Sequence, residues 1–312
     1  MPAPRLAVGL PQTLEGADPR SVARYAARAE ALGFTGLWTL DSPAGNRTAH
    51  TPLIDGLHAL SYVAAVTSSA RLGIAVVIVP RRNPALLAKD LATIDLLSAG
   101  RLTVGVGLGR IDDAATIEGL GFPVDRAVRR LTESIAVMRA LWAPGEAGYD
   151  GELYRFGGVV LEPKPVQRPG PPLWMGGGVP AALRRAARLA DGWIGSGSSS
   201  IDDFVEQSAT VVRELEAAGR ERAAFPIAKR VYIAVEDDAA VAHDRLSAVL
   251  DAMYGMPGLG ARVGVAGPPE HCAAQLRRLA DAGAEELVLA PVYGHRAQLD
   301  RLAEVARLLA DG

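Results

Sequence analysis

The chain has 312 residues, 49% of them apolar, with 33 basic and 35 acidic side chains and a formal charge of −2. That length suits one large domain or two ordinary ones, and α/β barrels commonly occupy it as one unit. Near neutrality and 5% aromatic content exclude a strong pull toward nucleic acid or anionic membrane, and a stacking surface for single strands.

Short apolar runs alternate with helical patterns. The first run is Arg5 to Leu10, and Asp18 and Pro19 then read as the N-cap and first turn of a helix. The second run, Gly36 to Leu40, precedes a helix around Leu53 to Thr67. The third is Arg71 to Pro80, with a helix opening near Asn83-Pro84, and the fourth is Arg101 to Val106. A helix from about Asp125 to Trp142 carries Val128, Leu131, Ile135, Met138 and Trp142 at helical spacing. A Gly- and Pro-rich stretch follows, with one strand-like piece at Val159 to Leu161. The remaining runs are Pro172 to Met175, Gly192 to Gly195, Ile227 to Val235 and Glu286 to Ala290, before a closing helix.

Eight apolar runs separated by helices predict parallel strands buried on both faces. A doubly wound sheet alternates in the same way. The count of eight and the closing helix favour a (β/α)8 TIM barrel, one domain over 1–312, with an insertion at approximately 111–172 between strands 4 and 5. Active sites of such barrels lie on the loops after the strands.

The lone Cys272 excludes an intrachain disulfide and a cysteine-rich metal site. His50 and His58 have no accompanying ligand set, so no metal is expected. Met1 to Leu10 lacks a signal-peptide pattern, and no run reaches the roughly 18 apolar residues of a membrane span. A cytoplasmic protein is expected.

After the fifth run, Met175 to Gly178 reads MGGG before a helix near Pro180. Glycines there let backbone N–H groups approach an anion at a helix N-terminus, although a tight turn would use them equally well. Gly105, Gly107 and Gly109 resemble a dinucleotide loop, but Arg110 replaces the third glycine of G-x-G-x-x-G. Close packing at a crowded barrel mouth explains them as well. Asp41 and Ser42 follow the second run, and His295 follows the eighth. Asp41 is either a general acid/base or a ligand of nearby loop amides. His295 reaches the mouth or stays a solvated loop residue. His271, beside Cys272, reads as a surface residue.

Three segments carry a family resemblance: Arg71 to Gly109, Leu161 to Gly178 (LEPKPVQRPGPPLWMGGG) and Ala190 to Gly195 (ADGWIG). They resemble the luciferase-like superfamily of flavin- and F420-dependent oxidoreductases, whose fold is a (β/α)8 barrel with an insertion. The resemblance implies a cis peptide at Ala75–Val76 supporting the cofactor ring, and Gly107, Leu108 and Arg110 along its ring and ribityl side. It also implies phosphate at Gly176, Gly177, Gly178 and Val179, and places Thr39 and Ser42 among the cofactor contacts. Some relatives have histidine where Ser42 stands, and a sugar-phosphate dehydrogenase has a catalytic glutamate where Arg110 stands. Both departures argue against that enzyme's reaction. Arg47, Arg81 and Arg82 are candidates for the oligoglutamate tail of F420.

The expected function is an F420-dependent oxidoreductase exchanging hydride with a small organic substrate, with Asp41 first and His295 second for proton transfer. The alternatives are an FMN-dependent monooxygenase of the same superfamily and a non-catalytic flavin- or deazaflavin-binding protein. Family members often pair through barrel-side helices, so a homodimer is expected. The selecting loops carry no pattern that names the substrate.

Overall fold

A computed structural model describes residues 3–13, 18–42, 53–109 and 118–310. In chain order the elements are β1 (Arg5–Gly9), α1 (Arg20–Ala31), β2 (Gly36–Thr39), α2 (Gly56–Ala64), β3 (Arg71–Ile78), α3 (Pro84–Leu97), β4 (Leu102–Gly107) and α4 (Ala127–Trp142). Next come β5 (Ala147–Asp150), β6 (Arg155–Val159), β7 (Leu173–Gly176), α5 (Pro180–Leu189), β8 (Gly192–Gly195), α6 (Ile201–Ala217) and β9 (Ile227–Val235). The chain finishes with α7 (Ala239–Tyr254), α8 (Leu259–Val263), β10 (Val265–Gly267), α9 (Pro269–Asp281), β11 (Glu286–Ala290) and α10 (His295–Ala310).

Eight parallel strands close a TIM barrel in the order β1–β2–β3–β4–β7–β8–β9–β11, and β11 returns to β1. The strands are apolar on both faces because one face meets the helices and the other fills the bore. All four residues of β2 and β8 are buried, as are all six of β4. β10 adds a short parallel strand beside the upper end of β9.

Local chemistry sets the helix starts. Asn83 caps α3 by accepting from the Ala85 and Leu86 amides, with Pro84 in the first turn where no N–H is needed. Asp55 caps α2 through Leu57 and His58. Ser200 and Asp203 form a reciprocal capping box on α6. Among the described residues no helix is long and apolar enough to cross a membrane.

The Trp142 indole N–H bonds the Ala88 carbonyl at 3.0 Å, so α4 packs on α3 as the barrel helix returning from β4. The added material between β4 and β7 therefore flanks that helix. Among its described residues the strands are the antiparallel β5–β6 hairpin, where the sequence predicts one strand-like piece at Val159 to Leu161. Gly148, Gly157 and Gly158 interrupt the apolar alternation that would have marked the two strands.

Candidate active site

The bore is closed at its lower end by charge and indole. Glu286 is almost fully buried, accepts the Trp38 indole N–H at 2.8 Å and pairs with Arg5 at 3.4 Å. Burial raises its pKa, opposed by Arg5, Trp38 and Arg71. Above this lie Trp38 and Trp174, with ring centroids 5.6 Å apart, packed with Ala7, Ile194, Ala228 and Val288. A Cβ on Gly73 would lie 2.3 Å from the Trp38 ring and one on Gly192 2.6 Å from Trp174, so these glycines make room for the indoles.

The next layer is built from small residues. Ala75 and Val76 are partly exposed in an otherwise largely buried strand and pack against the tryptophan cluster. Their peptide is cis, and the register of β3 against β4 shifts between Ile74 and Val77. Cβ atoms on Gly105, Gly107 and Gly176 would lie 3.1, 2.7 and 2.9 Å from the Val76 side chain. Three glycines on β4 and β7 thus accommodate one valine, leaving a low, apolar wall below the mouth. Gly109 turns the chain away with φ +73, and Leu108 packs partly buried against the core.

Beside this wall, Gly176 to Gly178 lead into α5. Gly177 has φ +118, and a Cβ there would lie 2.9 Å from the Ala182 Cβ, so glycine is required on both counts. The Gly177 carbonyl accepts the Trp193 indole N–H at 2.9 Å, which ties the loop to β8. The α5 N-cap, Val179, is 65% exposed and offers no side-chain cap. The first amides of α5 have no side-chain acceptor and carry the positive end of the helix dipole. This cradle fits a phosphate, and the adjoining small-residue wall fits a flat ring.

The luciferase-like monooxygenase family profile matches residues 6–286. The chain belongs to that family. An uncharacterized Mycobacterium bovis protein is 38% identical over 169 residues, covering 54% of this chain and 58% of its own. The chain thus spans little more than half the length of that relative. An F420-dependent glucose-6-phosphate dehydrogenase from Kineococcus radiotolerans is 29% identical over 242 residues, 76% of this chain and 70% of the relative. Among solved structures, an F420-dependent secondary alcohol dehydrogenase with an F420-acetone adduct superposes with a TM-score of 0.83 at 18% identity. That match covers 98% of this chain and 99% of the other, a likeness of fold.

Against the luciferase-like pattern, the expected site residues divide. Ala75, Val76, Gly107 and Gly176 gather around the mouth wall, with Gly177, Gly178 and Val179 beside it. Thr39 turns the other way: it is fully buried, and its hydroxyl reaches the Gly56 and Gly73 carbonyls at 3.3 and 3.4 Å. Alternation along β2 puts Trp38 into the bore and Thr39 toward α2, so Thr39 is corrected from cofactor contact to structural bond. Ser42 is half-buried just past β2. Arg110, Arg47 and His50 lie outside the described residues.

The Asp41 carboxylate is engaged on both oxygens. It accepts from Arg82 at 2.7 and 3.2 Å and from the Ile78 amide at 2.9 Å, with its side chain 1% exposed. Arg82 also bonds Asp55 at 3.1 Å. Burial lowers the Arg82 pKa, but the two carboxylates outweigh it and the net shift is upward. This geometry favours the second reading of Asp41, a brace between the ends of β2 and β3, and it draws Arg82 away from the cofactor tail. His295 is not a solvated loop residue: it is buried at the first turn of α10, edge-on to Tyr25 of α1 at 6.4 Å. That contact lies between helices rather than in the bore.

Three residues on the mouth side had not been singled out from the sequence. A Cβ on Gly178 would lie 2.4 Å from the Gln207 amide nitrogen, and the Gln207 Oε1 is buried without a hydrogen-bond partner. This α6 side chain therefore lies against the glycine loop with bonding capacity to spare. Lys229 of β9 points outward and donates to the Ser196 carbonyl, and to the Ser199 carbonyl and hydroxyl at 2.8 Å, anchoring the loop before α6. Burial pulls its pKa down to about 7, with Asp203 opposing. Its neighbour Arg230 points the other way, into the bore.

Proposed function

We propose that this protein is an F420-dependent oxidoreductase acting on a small organic substrate. The observation that carries the reading is the continuity of two surfaces: the small-residue wall around Ala75 and Val76, and the glycine cradle at the uncapped N-terminus of α5. The similarity to the Kineococcus F420-dependent enzyme supports the deazaflavin. When bound, that cofactor exchanges hydride at a ring carbon.

In this reading the amides of Gly177, Gly178 and the first turn of α5 bind the phosphate, with the Gln207 amide beside them. The Val76 wall holds the ring, Gly107 and Leu108 follow its ribityl side, and the Trp38–Trp174 pair closes the bore beneath and excludes water. The Asp41–Arg82 brace fixes the loops that frame the mouth. Proton transfer falls to a group other than Asp41, because both Asp41 oxygens are engaged.

Equilibrium binding of purified protein to F420 and FMN, side by side, tests the assignment. F420 should bind in the micromolar range or tighter, with FMN at least about tenfold weaker, or about 1.4 kcal/mol. Tight stoichiometric FMN without F420 binding would transfer the reading to an FMN-dependent monooxygenase. Binding of either without turnover across a panel of alcohols, aldehydes and enones would favour the non-catalytic alternative.

We also propose a homodimer. Tyr62 and Val66 at α2, and Leu86, Leu96 and Leu97 of α3, are exposed large apolar side chains on adjacent helices. Light scattering at micromolar concentration should give twice the 32.6 kDa chain mass. A monomer at that concentration counts against it.

A further inference from the structure

Strand β9 reads Ile-Ala-Lys-Arg-Val-Tyr-Ile-Ala-Val and carries consecutive cations through a strand buried on both faces. Successive side chains point to opposite sides. Lys229 faces α6, where a Cβ on Gly195 would meet both its Cδ and the Phe204 ring. Ala228 packs in the bore with the two tryptophans. Arg230 therefore stands on the bore face, one level above that floor, and it is only partly exposed.

Its guanidinium lies over the Tyr232 ring at 5.5 Å, and its Nη1 is buried without a hydrogen-bond partner. Among the described residues no carboxylate pairs with it. Acids at the barrel ends and on α6 are engaged elsewhere: Glu286 holds Trp38 and Arg5, Asp203 holds Ser200 and Arg262, and Asp41 holds Arg82. A guanidinium nitrogen buried without a partner is costly, and an aromatic face offsets only part of that cost.

The barrel order places Arg230 relative to the ring wall. Going round from β3 through β4, β7 and β8, β9 is the fourth strand along in a ring of eight, directly opposite. A ring resting on Ala75 and Val76 turns its open face toward Arg230. The phosphate cradle follows β7, two strands before β9, and is furnished separately.

We propose that Arg230 recognises the substrate, and that the substrate carries an oxyanion, a carboxylate or a phosphate, which the planar guanidinium binds opposite the ring. This rests on the ring placement of the proposed function. Arginine suits the role because its fork matches both groups bidentately and stays charged when desolvated. The Tyr232 and Tyr254 hydroxyls, 2.7 Å apart above it, extend the same wall.

The test compares the unaltered protein with Arg230→Gln and Arg230→Lys, each checked for native circular dichroism. F420 is titrated first. The F420-loaded proteins are then titrated with inorganic phosphate and, separately, with acetate, so that the cofactor's own phosphate cradle is already filled. At least one anion should bind the unaltered protein saturably and Arg230→Gln about tenfold or more weakly, with partial recovery in Arg230→Lys. F420 affinity should stay within about twofold in all three. Preference for phosphate over acetate marks a phosphate-bearing substrate, and the reverse a carboxylate.

The proposal is overturned if no anion saturates the unaltered protein, or if anion affinity ignores the charge at residue 230. It is equally overturned if F420 affinity alone falls, which would give Arg230 to the cofactor. Failure of the unaltered protein to bind F420 is a separate result that sinks the cofactor reading. The same anion titrations on FMN-loaded protein or apoprotein then still decide Arg230, since binding at the glycine loop is common to all variants.

Discussion

Val179→Asp should raise the melting temperature while lowering F420 affinity by about two orders of magnitude. Val179 occupies the N-cap of α5 with φ −77 and ψ 149, the extended geometry that capping residues adopt, and its side chain caps nothing. Aspartate there accepts from the first-turn amides and complements the dipole, stabilising by about 0.5–2 kcal/mol. The same carboxylate takes the amides that the phosphate needs and repels its charge. Val179→Asn separates the two effects, because it caps without charge: its melting point should rise and its affinity fall far less. Gly177→Asp is the blunter experiment, since φ +118 and the Ala182 contact disturb the loop whatever the charge. A Val179→Asp protein with a raised melting point and undiminished F420 binding would remove the phosphate from this helix end.

Asp41→Ala should lower stability by about 3 kcal/mol, read as a shifted urea midpoint at constant slope. The cost arises because Arg82, with its side chain 20% exposed, loses its closest partner, and the Ile78 amide loses its acceptor. Asp55 keeps Arg82 from being wholly unpaired, which holds the loss toward the low end for a broken buried pair. Arg82→Ala and the double variant complete a cycle that should show strong coupling between the two positions. If Asp41→Ala unfolds at the wild-type midpoint, the brace is wrong and the acid–base reading of Asp41 returns.

The barrel was legible because strands buried on both faces read as unbroken apolar runs. Arg71 to Pro80 and Ile227 to Val235 match β3 and β9 within two residues. The β5–β6 hairpin was not legible, since its glycines erase the period of two. At the site, sequence could name Asp41 and Arg82 as charges after neighbouring strands. It could not show that 41 residues of chain bring them to 2.7 Å. Two misplacements did have a signal. Thr39 follows Trp38, so a bore-facing indole implies an outward threonine. His295, Gln298, Leu299 and Leu302 share the buried face of α10. Arg230 also had one: two cations inside an apolar run are out of place unless something meets them.

Lys229 and Arg230 also bear on how β9 finds its place during folding. A strand that is apolar on both faces can slide past its neighbours at little cost, because either set of side chains suits either side. Here a slip of one residue would swing the lysine onto the tryptophan floor and the guanidinium beneath α6, away from the Ser196 and Ser199 carbonyls that hold the ammonium. Only one alignment gives each cation its own surroundings, so the adjacent pair fixes the register of the strand between β8 and β11.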